Sequence, residues 1–326
     1  MQKTAPAPRL PKRPKQAEHG HKTLWQRIVS DFKRNKYKYL LIIPVLVFLW
    51  LFHYRPLNGL QIAFKDFRPF LGIQGSSWSD PFYRHFQNWF TDPFFFRVMR
   101  NTITISLYSI LFGFPAPIIL ALLLNEIRSN KFKRTVQTIT YMPYFISMVV
   151  VCSLIHIYSS VNGMFTQVMV FMGGEQRNLL MVGRYFRPIF ILSDIWQFIG
   201  WNSIIYLAAI AGIDQEQYEA ATIDGAHRLQ KIFMITLPNL IPIISILFIL
   251  RMGGILNVNF EKIILLYNEA TYEVADVISS YIYRRGIVWA NYSFATAVGL
   301  FNSVIGVGFL LGTNFLSKKL SGNSLF

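Results

Sequence analysis

The chain has 326 residues, of which 53% are hydrophobic and only 15% are charged, and its formal net charge is +16. Soluble globular domains carry about 25% charged residues, so the composition excludes an ordinary soluble protein. Several apolar runs reach the roughly 20 residues that cross a hydrocarbon layer about 30 Å thick. The sequence therefore predicts an all-α integral membrane protein with no room for a large aqueous domain.

The N-terminal part of the chain is basic and precedes the first apolar run. Residues 1–22 hold several prolines among basic side chains, a composition that cannot bury a core, and they are predicted to be a disordered cytoplasmic tail. Residues 23–37 place apolar side chains at helical spacing opposite basic ones, which predicts an amphipathic helix on the inner leaflet. A nucleic-acid-binding arm is the alternative for so basic a tail, but anionic lipid lies much closer to it.

Six apolar segments are predicted membrane spans: 38–56, 100–124, 136–158, 188–211, 236–257 and 294–316. Together they form a six-helix transmembrane domain over 38–316, followed by a C-terminal tail at 317–326. Lys and Arg are denser in the segments on the N-terminal side of the membrane than in the longer segments opposite, and cytoplasmic loops are enriched in these residues. Both termini and the polar segment 213–238 are therefore predicted to be cytoplasmic.

The sequence holds no pattern that would build a catalytic or metal centre. Its one cysteine, Cys152, lies in the third predicted span, so no disulfide forms within the chain. None of the histidines has the spacing of a zinc motif, and there is no glycine-rich phosphate loop or nucleophile elbow. No cofactor is expected in this chain, so any ATP must bind another subunit. The rival class, a membrane-embedded glycan-processing enzyme, would need an acidic pair or a metal site at one membrane face.

The segment 213–238 is a polar interruption between two apolar runs. Asp214 is placed to cap a short helix, with Glu216 and Glu219 near the positive end of its dipole. Gly225 can adopt the positive φ that ends such a helix, and Pro238 lies near the start of the next span, where a proline is tolerated. An ordinary cytoplasmic connector is the alternative interpretation of this pattern.

The same segment resembles the EAA loop of ABC-importer permeases. EAA at 219–221 is followed by DGA at 224–226 with the spacing of that family, and then by LP at 237–238. In that family the loop forms a coupling helix that sits in a groove on the ATP-hydrolysing subunit, so the resemblance implies a contact with a partner ATPase. The residues implied in this contact are Tyr218, Glu219, Ala220, Ala221, Asp224, Gly225 and Ala226.

Other stretches, between about residues 35 and 320, are similar to the carbohydrate-uptake branch of this family. They include NWF at 88–90, DPF at 92–94, WQFIGWNSIIYLAAIAGID at 196–214 and DVISSYIYRRG at 276–286. These stretches resemble permeases that import oligosaccharides and polysaccharides, including the acidic polysaccharide alginate. The LYNP motif of the branch reads LYNE here, with Glu269 in place of the proline.

The resemblance implies a type I importer of a bacterial cytoplasmic membrane. The implied assembly contains a second, different permease subunit, two ATPases that bind ATP and Mg, and an extracytoplasmic solute-binding protein. This chain would then be a non-catalytic subunit that forms half of the translocation pathway. A permease for a different solute, such as a neutral oligosaccharide or an amino acid, is the nearest alternative because the EAA loop is shared.

Polar and aromatic side chains at membrane depth are the candidates for the solute pathway. Arg251 lies inside the fifth predicted span, where an arginine costs about 2.5–3.5 kcal/mol, so it is expected to face a wet cavity unless it snorkels to the headgroups. Aromatic rings stack on sugar faces and amides and acids bind hydroxyls, although tryptophans also mark interfaces and amides also bind neighbouring helices. The candidates are Asp194, Trp196, Gln197, Trp201, Asn202, Arg251 and Asn257.

The segment 57–97 is rich in aromatic residues and turn formers and is predicted to lie over the outer mouth of the pathway. Together with the later outer segments 159–187 and 258–293 it offers a surface on which a binding protein would dock. Arg284 and Arg285, in the last of these segments, have two interpretations: they meet an acidic partner, or they cap a short helix.

Overall fold

The computed structural model describes residues 25, 31–32, 34–322 and 324–325. The predicted tail 1–22 lies outside these residues, as does most of the predicted interfacial helix 23–37. At the other end, the predicted tail 317–326 begins inside the last helix, which ends at Ser321. The lysines in its last turn lie at the negative end of the helix dipole, which favours this extension.

The chain divides into two compact units, Met1–Gly59 and Leu60–Phe326. In the described part of the first unit, helix Lys36–Leu49 continues into a π-helical turn at Trp50–Tyr54, and none of these residues is buried. Their side chains are apolar on almost every face, which suits a helix surrounded by lipid. The 3₁₀ helix Arg55–Phe64 runs across the boundary, and the described helices after it belong to the second unit.

Five described helices are long and apolar enough to cross a membrane, and a bent pair provides up to one more crossing. The bent pair is Gly183–Ala211 and Gln215–Ile223, whose axes differ by 70°. Helices satisfy their own backbone hydrogen bonds, which the hydrocarbon layer requires. The single crossings are Lys36–Phe64, Phe95–Glu126, Met148–Phe171, Arg228–Gly253 and Tyr292–Lys319. This architecture confirms the predicted all-α membrane fold.

The third predicted span, 136–158, is not one helix. The chain there forms three elements: helix Asn130–Tyr141, a 3₁₀ turn at Met142–Phe145 and helix Met148–Ser159. Pro143 has no N–H to donate, and the Ser147 hydroxyl accepts a backbone N–H of the new helix, so the break is encoded locally. The apolar crossing begins after the break and extends to Phe171.

A close backbone contact holds this break against the long helix Gly183–Ala211. A Cβ added at Gly200 would lie only 2.1 Å from the carbonyl oxygen of Thr140. Next to this contact, the rings of Tyr144 and Trp201 stack in parallel with their centroids 4.2 Å apart. Glycine is therefore required for the two segments to cross at this distance.

The last helix, Tyr292–Ser321, also packs through a glycine. A Cβ added at Gly306 would lie 2.7 Å from the carbonyl oxygen of Gly253, at the end of the preceding crossing. Gly308 and Gly312 form a GxxxG motif, for which the sequence predicts close packing, yet an added Cβ at either meets no described atom within 4 Å. Packing within the chain therefore uses Gly306 and leaves the motif uncovered.

Two buried aspartates organise the segments that join the crossings. Asp92 accepts hydrogen bonds from the Tyr281 hydroxyl at 2.7 Å and from Arg285 at 3.1 Å. Asp276, whose side chain is fully buried, pairs with Arg284 at 2.5 Å. A buried charge persists only when it is paired. Arg284 is also the C-cap residue of the short helix Ile278–Tyr283, which agrees with one of the two interpretations of this pair. The ion pairs with Asp92 and Asp276 within the chain were not predicted.

We expect Gly200→Ala to lower the stability of the purified chain by about 1–3 kcal/mol, because the added methyl group overlaps a backbone carbonyl that cannot move alone. Thermal unfolding in detergent measures this loss. Gly308→Ala is the matched control, since it adds the same methyl group to a membrane helix in open space. Equal unfolding temperatures for the two variants would contradict the packing role of Gly200.

Candidate functional site

A short polar helix, Gln215–Ile223, lies between the bend and the next crossing. Asp214 caps it, because the Asp214 carboxylate accepts the backbone N–H of Glu216 at 3.0 Å. Gly225 ends it with φ of +77°, and two backbone hydrogen bonds of 3.1 and 2.9 Å close a Schellman motif. The predicted cap and the predicted positive φ are both confirmed.

Three side-chain contacts fasten this helix to the residues that open the next crossing. They are Gln217 with Asn239 at 3.2 Å, Tyr218 with Thr236 at 2.9 Å, and Thr222 with Lys231 at 2.7 Å. The sequence analysis missed Lys231, Thr236 and Asn239, because each is nine or more residues from its partner in the chain. Contacts along the whole length of a two-turn helix oppose its rotation, so it moves with the crossing that follows.

The free face of the helix carries most of the EAA-like residues. Glu219, Ala220, Ile223, Asp224 and Gly225 are exposed, and we call these five residues the coupling surface. Behind them lie the half-buried residues Tyr218, Ala221 and Ala226. Ile223 is 87% exposed, and the sequence analysis missed it. A large exposed apolar side chain beside unpaired acidic groups is typical of a surface that binds another protein.

A cavity of about 630 Å³ borders the long helix Gly183–Ala211. Its other walls come from the turn Ser109–Gly113, the end of Arg228–Gly253 and the segment 254–259. Ligand sites typically measure about 300–1,000 Å³. The helix that lines the cavity then bends by 70° into Gln215–Ile223. One continuous piece of chain therefore joins the cavity to the coupling surface.

The second crossing widens where it borders the cavity. Ser109–Gly113 forms a π-helical turn, and Pro115 opens the α-helical segment that follows. Because Pro115 has no N–H, the regular hydrogen-bond ladder is interrupted there, and single π turns of this kind are frequent at functional sites. The turn contributes both Ser109 and Gly113 to the cavity wall.

Most of the predicted pathway residues lie together in this cavity. Its walls include Asp194, Trp201, Asn202, Arg251 and Asn257. Two candidates lie elsewhere: Trp196 is 47% exposed outside the cavity wall, and Gln197 is buried and donates to the carbonyl of Ile146 at 3.2 Å. Gln197 therefore binds a neighbouring segment of the chain. This is the alternative role that the sequence left open for the amides. Transport by the cavity residues stays a prediction.

The charged groups of the cavity wall have different partners. The Arg251 guanidinium donates to the Ser109 hydroxyl at 2.5 Å. Asp194 instead forms an ion pair with Lys262 at 3.4 Å. Asn257 accepts a hydrogen bond from the Asn302 amide at 2.9 Å, which ties the cavity wall to the last helix.

Sequence analysis missed three residues that shape this cavity. Ser109 binds Arg251, Tyr144 stacks on Trp201, and Lys262 is fully buried beside Asp194. Lys262 precedes an apolar run in the short helix Phe260–Leu266. A single cation beside such a run is a sequence signal for a buried ion pair, which could have led to Asp194. Ser109 and Tyr144 gave no such signal, because their contacts depend on how distant segments pack.

A serine, a histidine and an aspartate also meet before the second crossing. The Ser79 hydroxyl and the Asp66 carboxylate lie 3.0 and 3.2 Å from the same nitrogen, Nε2 of His85. A hydrolytic triad needs these groups on opposite ring nitrogens, so this cluster is not a nucleophile relay. Burial raises the pKa of Asp66, but hydrogen bonds from Arg84 and Ser79 outweigh it and the pKa lies below its ordinary value. The cluster therefore holds a charged carboxylate in place.

Comparison with known proteins identifies relatives of almost the full length. Residues 113–321 match the family described as "Binding-protein-dependent transport system inner membrane component". Protein LplB of Bacillus subtilis (strain 168) is 43% identical over 299 residues, which cover 91% of this chain and 93% of that protein. The polygalacturonan/rhamnogalacturonan transport system permease protein YteP of the same organism is 41% identical, over 92% of this chain and 94% of that protein.

Solved structures show the same arrangement of helices. The crystal structure of a bacterial alginate ABC transporter in complex with an alginate pentasaccharide-bound periplasmic protein contains a chain that is 41% identical, with a TM-score of 0.83 over 92% of this chain and all (100%) of that chain. A bacterial ABC transporter involved in the import of the acidic polysaccharide alginate gives 42% identity and a TM-score of 0.82. The chain therefore belongs to the family of inner membrane components of binding-protein-dependent transport systems.

Proposed function

We propose that this chain is the permease subunit of an ATP-driven importer and forms half of its translocation pathway for acidic oligosaccharides or polysaccharides. One observation carries the proposal: the helix that lines the solute cavity bends by 70° directly into the helix that bears the coupling surface. A conformational change can be transmitted only through an element that is shared by the two sites or packed between them. Here the element is shared.

The coupling surface is the site at which we place the partner ATPase, with ATP and Mg bound to that partner. Family membership supports this placement, and so does the combination of exposed Ile223 with the acidic side chains of Glu219 and Asp224. Both chain termini and the coupling surface then lie in the cytoplasm, in agreement with the distribution of Lys and Arg. A second permease subunit completes the pathway, and the uncovered glycines Gly308 and Gly312 offer it a close-packing face.

Acidic glycans are the cargo that the cavity and the relatives favour together. Similar proteins include an alginate transporter and a polygalacturonan/rhamnogalacturonan permease, and the former was solved in complex with an alginate pentasaccharide-bound periplasmic protein. Within the cavity, Arg251 offers a guanidinium whose one hydrogen-bond partner among the described residues is the neutral Ser109. A guanidinium binds a carboxylate through two parallel hydrogen bonds. A permease for a different solute remains the second candidate, because the coupling surface alone does not select cargo.

For coupling, we expect Gly225→Asn to lower solute-stimulated ATP hydrolysis of the assembled complex about tenfold, equivalent to about 1.4 kcal/mol of activation free energy. Asn tolerates positive φ, and a Cβ added at Gly225 meets no described atom within 4 Å, so the loss would come from bulk added at the contact with the ATPase. ATPase assays with loaded binding protein give the measurement.

Gly173→Asn is the matched control for this variant. Gly173 also has positive φ, +86°, and open space around an added Cβ, but it lies outside the coupling surface. Insertion into the membrane should be unchanged for both variants. Equal ATPase stimulation in the Gly225 and Gly173 variants would count against the coupling role.

For cargo, replacing Arg251 with Met should weaken the uptake of acidic glycans about tenfold more than that of neutral ones, because a charge-assisted hydrogen bond contributes about 1.5–3 kcal/mol. Arg251→Lys keeps the positive charge but cannot make two parallel hydrogen bonds to a carboxylate. Its uptake of acidic glycans should therefore lie between that of the wild type and that of Arg251→Met. Uptake of labelled oligosaccharides into proteoliposomes distinguishes these outcomes. Equal losses for acidic and neutral cargo would assign Arg251 a structural role.

A further inference from the structure

The cavity wall contains two formally charged residues among the described residues that line it, Asp194 and Arg251. Opposite charges on one wall would cancel and leave a cavity with no preference for the sign of its cargo. The contacts of these two residues differ, however, and the difference decides the net charge of the cavity.

Arg251 keeps its charge available. Its guanidinium donates to the neutral Ser109 hydroxyl, and no ion pair with a carboxylate of the described chain accompanies this contact. Its hydrogen-bonding capacity is far from used, because a guanidinium has five N–H donors. Arg251 therefore presents an uncompensated positive charge to whatever enters the cavity.

The charge of Asp194 is neutralised by a cation that does not line the cavity. Its carboxylate is 25% exposed and lies 3.4 Å from the ammonium group of Lys262, which is 0% exposed. Lys262 also donates to the carbonyl of Phe190 at 3.2 Å and lies 5.0 Å from the centre of the Phe190 ring. These contacts hold the ammonium group in one position, outside the cavity wall but within reach of Asp194.

The environment of Lys262 shows that this cation has no other carboxylate to neutralise. It lies in helix Phe260–Leu266, and Asp194 is the one carboxylate with which it forms an ion pair in the described part of the chain. Its neighbour Glu261 is exposed and is not part of the cavity wall. Burying a cation is costly unless it is paired, so Lys262 and Asp194 act as a neutral unit.

We infer that Lys262 is a specificity-determining residue of the transport pathway: by neutralising Asp194 from outside the cavity, it leaves Arg251 unopposed and gives the cavity a net positive charge suited to uronate-type, carboxylate-bearing sugars. Lys262 acts through Asp194 and does not touch the cargo, so it is a positioning residue. The Asn202 amide and the Nδ2 groups of Asn257 and Asn259, whose Oδ1 atoms already accept hydrogen bonds, line the cavity and are available to sugar hydroxyls. This inference rests on the proposed function.

The test uses the assembled complex of both permeases and both ATPases in lipid nanodiscs. Alginate pentasaccharide and the same pentasaccharide with its carboxyl groups reduced to primary alcohols are the probes, and saturation-transfer NMR measures direct binding without the binding protein. The variants are Lys262→Met, Asp194→Asn and the double variant that carries both substitutions.

We expect Lys262→Met to weaken binding of the acidic pentasaccharide about tenfold, because Asp194 then opposes Arg251 at short range. Binding of the reduced pentasaccharide should change by less than about twofold, since a neutral cargo does not sense the charge. The double variant should recover acidic binding to within about threefold of the wild type, because removing Asp194 restores the net positive charge.

Unchanged acidic binding in Lys262→Met, or a double variant as weak as Lys262→Met, would overturn the inference. Equal losses of acidic and reduced pentasaccharide binding in Lys262→Met would also overturn it, because a merely structural lysine affects both probes alike. If Lys262→Met fails to assemble, Asp194→Asn and the double variant test the inference instead. The cavity of Asp194→Asn has one more positive charge than that of the wild type, so this variant must bind the acidic probe more tightly than the wild type does. Equal binding of the two probes by the wild type is a different outcome, which would overturn the proposed acidic cargo itself.

Discussion

Force transmission in this protein depends on one mechanical constraint, the continuity of the chain from the cavity wall to the coupling surface. Residues 212–214 join helix Gly183–Ala211 to helix Gln215–Ile223, and the two helix axes differ by 70°. Asp214, the last of these residues, caps the second helix through its carboxylate. No flexible loop separates the two sites. Contacts such as Tyr218 with Thr236 then tie the short helix to the next crossing. A displacement of the coupling surface must therefore move both crossings on either side of it, which is what a force-transmitting element requires.

A second constraint is that charged side chains inside an apolar protein must be paired. Charges that stabilise the fold have a counter-ion in the chain, whereas the charge assigned to cargo binding does not. Asp92 and Asp276 are satisfied by arginines of the same chain, and they fix the segments that join the crossings. Asp194 is satisfied by Lys262 in the same manner. Arg251 departs from this pattern, since its hydrogen bond goes to a hydroxyl. In the last turn of its crossing, Arg251 has no counter-ion among the described residues and can bind a carboxylate of the cargo.

The sequence predicted those features that are local or periodic. The cap at Asp214 and the positive φ at Gly225 depend on residues close in the chain, so the coupling helix could be located before the structure was known. One apolar run placed Arg251 inside the fifth predicted span, 236–257, whereas the helix ends at Gly253 and has Arg251 in its last turn. Contacts between distant segments could not be read in this way. The pairing of Lys262 with Asp194 joins residues 68 positions apart. The break at Pro143 was missed because the apolar composition continues across it and hides the lost hydrogen bond.

The most direct test of the central claim is a crosslink from the coupling surface to the partner ATPase. The chain has one native cysteine, Cys152, which is buried, so Glu219→Cys introduces a single accessible thiol. In membranes that contain the whole complex, this thiol should form an adduct with the ATPase subunit when a short bifunctional reagent is added. Gly173→Cys, on the segment predicted to lie outside, should form none. Labelling of the Glu219→Cys thiol by a membrane-impermeant reagent from the external side, without an ATPase adduct, would contradict the account.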